Sequence, residues 1–427
     1  MPYCDQSSNG IRIFYRRCGH GSTKVLLIIG KFSLLDAFFL FLVEIWGFRV
    51  PYVCSFFLGV GLAGTHDSWG PQIKGLTGAV EPNDEEEAPT ETVGGESNTL
   101  GEEVREGDGI EVCCFDNRGV GRSSVPTEKS DYTTTIMAED ALALLDHLGW
   151  KNAHVFGHSM GAMIACKLAA MAPDRICSLA LLNVTGGGFE CFPKIDLQML
   201  SLAFRFLRAK TPEQRAMVDL ETHYTKEYLD ECVGSCTRRD ILYQDYVKAI
   251  SSSGMQSNYG FEGQLNACWT HNMTSKELET IRSSGFLVTI IHGRDDIIAQ
   301  LDHARRLAKK LQPVARMVEL HGAHLVSHER PEEVNLALME LIKASKSKLE
   351  PEEWSHLAES ESGCLVLKIQ PPLNNRNKDG ANSLIMYKLL GKLHLSFLYF
   401  FGAFFTGYEH IRNTLKIKPI RVAASVT

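Results

Sequence analysis

The segment NAHVFGHSMGAMIACKLAAM, Asn152 to Met171, passes from strand-forming residues to a helical pattern across two glycines, with no loop between. Gly157 and Gly161 allow a turn that tight, and it leaves Ser159 on a sharp bend with its hydroxyl clear of the sheet. A strand running straight into a helix is the repeating unit of a layered α/β domain, so further alternation is expected along the chain. Gly10–Arg16, Lys24–Gly30, Ile110–Asp116, Ile176–Asn183, Phe286–Gly293 and Ala315–Gly322 read as additional strands. Helical patterns cover Thr134–Leu148, Gly161–Met171, His303–Leu311 and Pro331–Lys346. The strands are hydrophobic almost without interruption, which predicts burial on both faces: a mostly parallel, doubly wound sheet covered by helices.

Three regions break this rhythm within a domain expected to span residues 1–350. Residues 79–109 carry many acids and one base, Arg105. Such a segment cannot bury enough apolar surface to offset chain entropy, and a disordered acidic loop is expected. Residues 186–283 mix polar and apolar residues at helical spacing without strand signals, and are expected to form an inserted helical cap. The tail, 351–427, contains the apolar stretch LHLSFLYFFGAFFTGY at 393–408, followed by Arg412, Lys416, Lys418 and Arg421. The run is short for a membrane span, and an interfacial helix on anionic lipid fits its aromatic and basic residues. Membrane-surface contact through 393–421 is therefore expected, with a marginal span or a helix packed on the domain as the rival forms.

The 427-residue chain is 44% hydrophobic, enough for a large core, and its formal charge of -7 argues against a general nucleic-acid binder. Its 12 cysteines are scattered, several in core-like runs, and read as buried thiols rather than a disulfide framework. No apolar stretch directly follows a basic one near Met1, so no secretory signal is expected and a cytoplasmic setting fits best.

A serine hydroxyl is a weak nucleophile until a base takes its proton, and that base needs a carboxylate to orient it. The loop after Phe286–Gly293 offers Asp295 and Asp296. The loop after Ala315–Gly322 offers His321, His324 and His328. In a parallel sheet both loops open on the same edge as Ser159. The three histidines have no carboxylate or thiol at a supporting metal-ligand spacing, so neither a metal site nor a cofactor is expected.

With Gly157-His158-Ser159-Met160-Gly161 in place, the chain resembles the α/β-hydrolase superfamily over about Ile11–Lys346. Gly293-Arg294-Asp295-Asp296 is similar to the family's G-x-x-D, which implies Asp296 as the acid. Gly322-Ala323-His324 with Glu329-Arg330-Pro331 is similar to its histidine loop, which implies His324 as the base. Asn183 stands where some relatives place the acid instead. The resemblance further implies a helical cap inserted after the sixth strand, a structural turn at Asp116–Ser124, and an oxyanion hole formed by the backbone N–H groups of Met160 and Leu62. His158 is expected to pack beside the pocket or tune it, and Tyr259–His271 to pack in the cap or line the acyl pocket.

Lys31–Gly61 intervenes between the strand Lys24–Gly30 and Leu62-Ala63-Gly64. It lacks a helical stripe or strand alternation, and Asp36, Glu44, Arg49 and Pro51 interrupt its apolar run. Gly-Lys-Phe at its start is compatible with a splice-donor sequence. The segment therefore reads as a retained in-frame intron, with a lid or membrane-touching hairpin as the alternative. The function expected from all this is hydrolysis of an ester-type acyl bond in a small molecule through an acyl-enzyme on Ser159. The alternatives are a slow-turnover signal receptor on the same fold and an isoform impaired by the 31–61 insertion.

Overall fold

Alternation along each strand decides which layer a side chain enters, and the strand Thr23–Gly30 illustrates it. Leu26 and Ile28 pack into one apolar layer, while Val25, Leu27 and Ile29 pack into another. Residues two apart share a face, so a strand apolar at every position needs a covering layer on both sides. The computed structural model describes residues 2–5, 10–30, 64–79, 81–83, 109–194, 196–209, 211–253 and 256–357. The acidic stretch 84–108, the insertion 31–61, Leu62 and the segment 393–421 lie outside the described residues.

The strands in chain order are β1 (Tyr3–Cys4), β2 (Ile13–Cys18), β3 (Thr23–Gly30), β4 (Ile110–Phe115), β5 (Ala153–Ser159), β6 (Ile176–Leu182), β7 (Cys232–Val233), β8 (Cys236–Thr237), β9 (Leu287–Gly293) and β10 (Ala315–Leu320). Eight of them form one sheet in the order β1-β2-β4-β3-β5-β6-β9-β10. The pairs from β4 to β10 are parallel, and β2 joins both β1 and β4 antiparallel. The doubly wound α/β sheet expected from the sequence is the architecture observed.

Helices α1 (Gly70–Thr77), α2 (Thr134–His147) and α3 (Met160–Met171) precede β6. Between β6 and β9 lie α4 (Leu197–Arg208), α5 (Pro212–His223), α6 (Lys226–Asp230), α7 (Arg238–Ser253), α8 (Asn258–Thr270) and α9 (Ser275–Ser283). After β9 come α10 (Leu301–Lys310), α11 (Val326–Glu329), α12 (Pro331–Lys346) and α13 (Pro351–His356). The α2 and α3 side chains fill the first apolar layer, and those of α1 and α12 fill the second.

Two features were not anticipated. The helical insertion contains a small ribbon, β7–β8, whose two-residue strands are too short to show a period. Beyond residue 350, α13 buries Trp354, whose indole N–H donates to the Val288 carbonyl at 2.8 Å. The segment read as cap or acyl pocket, Tyr259–His271, packs on the turn after β4: Gln264 Nε2 donates to the Arg118 carbonyl at 3.0 Å. Among the described residues no helix is long and apolar enough to cross a membrane.

Candidate active site

Ser159 ends β5 with φ +55° and ψ -121°. That backbone region is rare for a residue with a side chain and costs on the order of 1–3 kcal/mol, so the surroundings must enforce it. They do so by close packing. A Cβ on Gly161 would overlap the Ile28 carbonyl, and one on Gly157 would overlap the Gly161 carbonyl. Only glycine lets β5, α3 and β3 approach so closely, and the strained bend is the result.

The β9 and β10 loops bring the partners. His324 is buried, and the Ser159 hydroxyl lies 3.0 Å from its Nε2. His324 Nδ1–H donates to Asp296 Oδ2 at 2.8 Å. The same carboxylate oxygen accepts from Asn183 Nδ2 at 2.6 Å. The other oxygen accepts from the backbone N–H groups of Ile298 and Ala299 at 2.8 and 2.9 Å. Burial alone would raise the Asp296 carboxyl. The His324 charge and hydrogen bond, with His292 and Asn183, outweigh it and hold the group below its ordinary value. Asp296 is thus kept ionised, and His324 is held with Nε2 toward the serine.

Ser159, His324 and Asp296 therefore converge. Asp295 does not: it is exposed, with its Oδ2 2.9 Å from His321 Nδ1. His328 also points away from the serine, donating from Nε2 to the Ser68 carbonyl at 2.8 Å. Met160 opens α3, where the first N–H groups of a helix have no intrahelical acceptor and the dipole favours developing negative charge. Gly30 pairs with Ser159 in the β3–β5 register, so the chain leaves β3 directly beside the serine. Leu62, the other expected oxyanion donor, lies outside the described residues.

His158 is fully buried and donates from Nε2 to the His324 carbonyl at 2.8 Å. Burial, reinforced by the charge of His324, lowers its pKa to about 3, so it stays neutral. The turn after β4 is structural. Arg118 forms a buried two-point pair with Asp140, 2.7 Å at each bond, and Asp116 accepts from the His66 backbone N–H at 2.9 Å. Sequence reasoning missed the support given by Asn183, although its place at the end of β6 was a usable signal. Glu329 was noted only as part of a motif, and not that its carboxylate accepts the Ala323 N–H at 2.9 Å. Among the described residues no three His, Cys, Asp or Glu side chains are grouped to hold a metal ion.

Residues 99–331 match the family model described as alpha/beta hydrolase fold. The chain is 28% identical over 244 residues to the provisionally named non-heme bromoperoxidase BpoC of Mycobacterium tuberculosis, covering 56% of this chain and 85% of that protein. It is 25% identical over 289 residues to the provisionally named carbamate hydrolase RutD of a Caulobacter species, covering 67% of this chain and 89% of that one. Among solved structures, the enol-lactonase of Burkholderia xenovorans matches with a TM-score of 0.53 at 20% identity, over 80% of this chain and 100% of the other. A meta-cleavage product hydrolase of Pseudomonas fluorescens matches with a TM-score of 0.54 at 16% identity, over 81% and 98%. At these identities the structural likeness is one of fold.

Proposed function

The chain belongs to the α/β-hydrolase family, and from that premise we propose that it is a serine hydrolase cleaving an ester-type acyl bond in a small molecule. The observation that carries the reading is the continuous relay from Ser159 Oγ to His324 Nε2 (3.0 Å) and from His324 Nδ1 to Asp296 Oδ2 (2.8 Å). In this reading Ser159 Oγ attacks the acyl carbonyl while His324 Nε2 takes its proton. Asp296 holds the Nδ1–H tautomer and stabilises the imidazolium that forms. The Met160 N–H, at the start of α3, stabilises the tetrahedral oxyanion. His324 then protonates the leaving group. A water, deprotonated by the same nitrogen, attacks the acyl-enzyme to release the acid and restore Ser159. The chemistry draws on these three side chains, the Met160 N–H and one water.

The names of the relatives span lactone, carbamate and peroxidase chemistry. The first two share with esters an acyl carbonyl bearing a heteroatom leaving group, which supports the bond type more than any one substrate. The test is labelling of the full chain by a fluorophosphonate together with turnover of a chromogenic ester. Wild type should be labelled and turn over many times, and Ser159→Ala should do neither. A stoichiometric burst without further turnover would favour the signal-receptor reading. Ester turnover unchanged in Ser159→Ala would overturn the assignment.

A further inference from the structure

Besides the Leu325 carbonyl, which caps the start of α11, four backbone atoms of residues 323–325 are held, and their four holders come from two parts of the molecule. The sheet supplies two: Asn183 Nδ2 donates to the Ala323 carbonyl at 3.3 Å, and His158 Nε2 donates to the His324 carbonyl at 2.8 Å. The other two lead into the segment between β6 and β9. The Leu325 N–H donates to the carbonyl of His223, the last residue of α5, at 3.0 Å. The Ala323 N–H donates to Glu329 Oε1 at 2.9 Å, and Thr225 at the start of α6 approaches the same carboxylate from the other side. Thr225 Oγ1–H donates to Glu329 Oε2 at 2.6 Å, and the Thr225 N–H donates to Oε1 at 3.2 Å.

Side chains around this junction reinforce it. Tyr224 donates to His328 Nδ1 at 3.1 Å, and Tyr228 donates to the His328 carbonyl at 3.2 Å. The His223 ring meets the His324 ring edge-on, with centroids 5.8 Å apart. Thr225, Glu329, His223 and Tyr224 are all buried. A cavity lined by Thr225, Tyr228, His328 and Glu329 lies on one side of these bonds, yet Thr225 and Glu329 themselves are buried, so losing a bond removes a partner from a largely desolvated polar group.

We infer that Glu329 is a positioning residue that fastens the α5–α6 turn to the loop carrying His324, so that the base reaches Ser159 only while that turn is seated. The inference rests on the reading of Ser159 and His324 as nucleophile and base. Among the described residues the carboxylate is the one side chain that bonds at once to the residue before His324 and to the inserted helices. Displacement of the α5–α6 turn pulls on Ala323 through Glu329 and on Leu325 through the His223 carbonyl. Such a link makes the setting of His324 depend on where the α5–α6 turn sits.

The test compares the full-length wild type with Thr225→Val, which removes the hydroxyl bond of the bridge and leaves the weaker backbone one, with Glu329→Leu, which removes both, and with two variants able to keep the bridge, Thr225→Ser and Glu329→Gln. The readouts are the fluorophosphonate labelling rate and the kcat and KM for a small chromogenic ester, each taken well below the variant's own melting temperature. Thr225→Val also removes the bond from the Tyr228 N–H to Oγ1 (3.3 Å) that caps α6, and this should appear in the melting temperature. The expected result is a fall of about tenfold or more in labelling rate and kcat for Thr225→Val and Glu329→Leu, with KM changed by less than about twofold. Both conservative variants should stay within about threefold of wild type. If Thr225→Val folds and labels at the wild-type rate, the link to the inserted helices is overturned, even should Glu329→Leu be slow or fail to fold. A wild-type chain that takes no label overturns the serine-hydrolase reading itself, and this inference with it.

Discussion

From Ala153 to Cys166, through all of β5 and the start of α3, every residue is buried. The helices between β6 and β9 are built differently. α4 leaves Leu197, Leu200 and Phe204 exposed, and its neighbours are joined by surface ion pairs such as Arg205–Glu221 and Arg239–Asp230. The first region fixes the serine by packing in which one added carbon would collide with backbone. The second meets the histidine loop through a few hydrogen bonds and a small apolar cluster of Leu220, Tyr224 and Leu229 with Leu325. Packed backbone admits one arrangement, whereas a junction made by a few side chains can be altered one bond at a time, each at the cost of an uncompensated polar group. The proposed nucleophile therefore sits on the rigid half, while the setting of the base depends partly on the adjustable half.

The sharpest way to break this contrast is at the elbow. Ser159→Ala should lower ester turnover by on the order of 10⁴-fold or more, measured as kcat/KM, while leaving the melting temperature near wild type. Ser159→Gly should be equally inactive yet more stable by on the order of 1 kcal/mol in urea unfolding, because glycine relaxes the φ +55° strain. A Ser159→Gly chain no more stable than Ser159→Ala would show that the bend is not strained in solution. Gly161→Ala should cost about 3 kcal/mol or prevent folding, since its Cβ meets the Ile28 carbonyl and backbone cannot move aside cheaply. Full stability in that variant would dismiss the packing account.

Acid should act next, on buried histidines of both regions. Burial lowers His158 and His271 to about 3 and His154 to about 4, from an ordinary value of 6.5. Below pH 6.5 the unfolded chain takes up protons that these folded imidazoles refuse, so stability falls as the pH drops from 6.5 toward 4. Each histidine contributes at most about 1.4 kcal/mol per pH unit in that window. Asp296, held below its ordinary value, adds stability above the unfolded carboxylate range that is lost only at lower pH still. A urea-unfolding series from pH 7 to 5 checks the sign, and flat stability over that range would contradict it. The smallest effect belongs to the outer helices. Arg205→Gln removes a half-exposed pair with Glu221 and should change stability by less than about 1 kcal/mol, with ester turnover unchanged.

How far the site was legible follows from how local its causes are. The strand–glycine–serine–glycine–helix segment carries its own geometry, so Ser159 could be singled out from one stretch of chain. The choice of Asp296 over Asp295 and of His324 over His321 or His328 came from family resemblance, because adjacent polar loop residues look alike in sequence. In three dimensions they differ: Asp296 is buried under four donated hydrogen bonds, while Asp295 faces solvent beside His321. The bond of Asn183 to Asp296 and that of Glu329 to Thr225 were invisible because the partners lie 113 and 104 positions apart. No periodicity reports contacts at that range. The ribbon β7–β8 escaped notice for the opposite reason, being too short to have a period.

The sequence by itself determined the two-faced strands, their alternation with helices and the tight turn at Ser159, because each follows from hydrophobic period or from glycine within a few residues. Only the tertiary structure decided which carboxylate turns inward, that Asn183 donates to it, and that Glu329 joins Thr225 to the residue before His324. Those outcomes depend on the register of β5, β6, β9 and β10 and on where the inserted helices settle. Such long-range packing is a property of the whole assembled sheet, and no short stretch of chain encodes it.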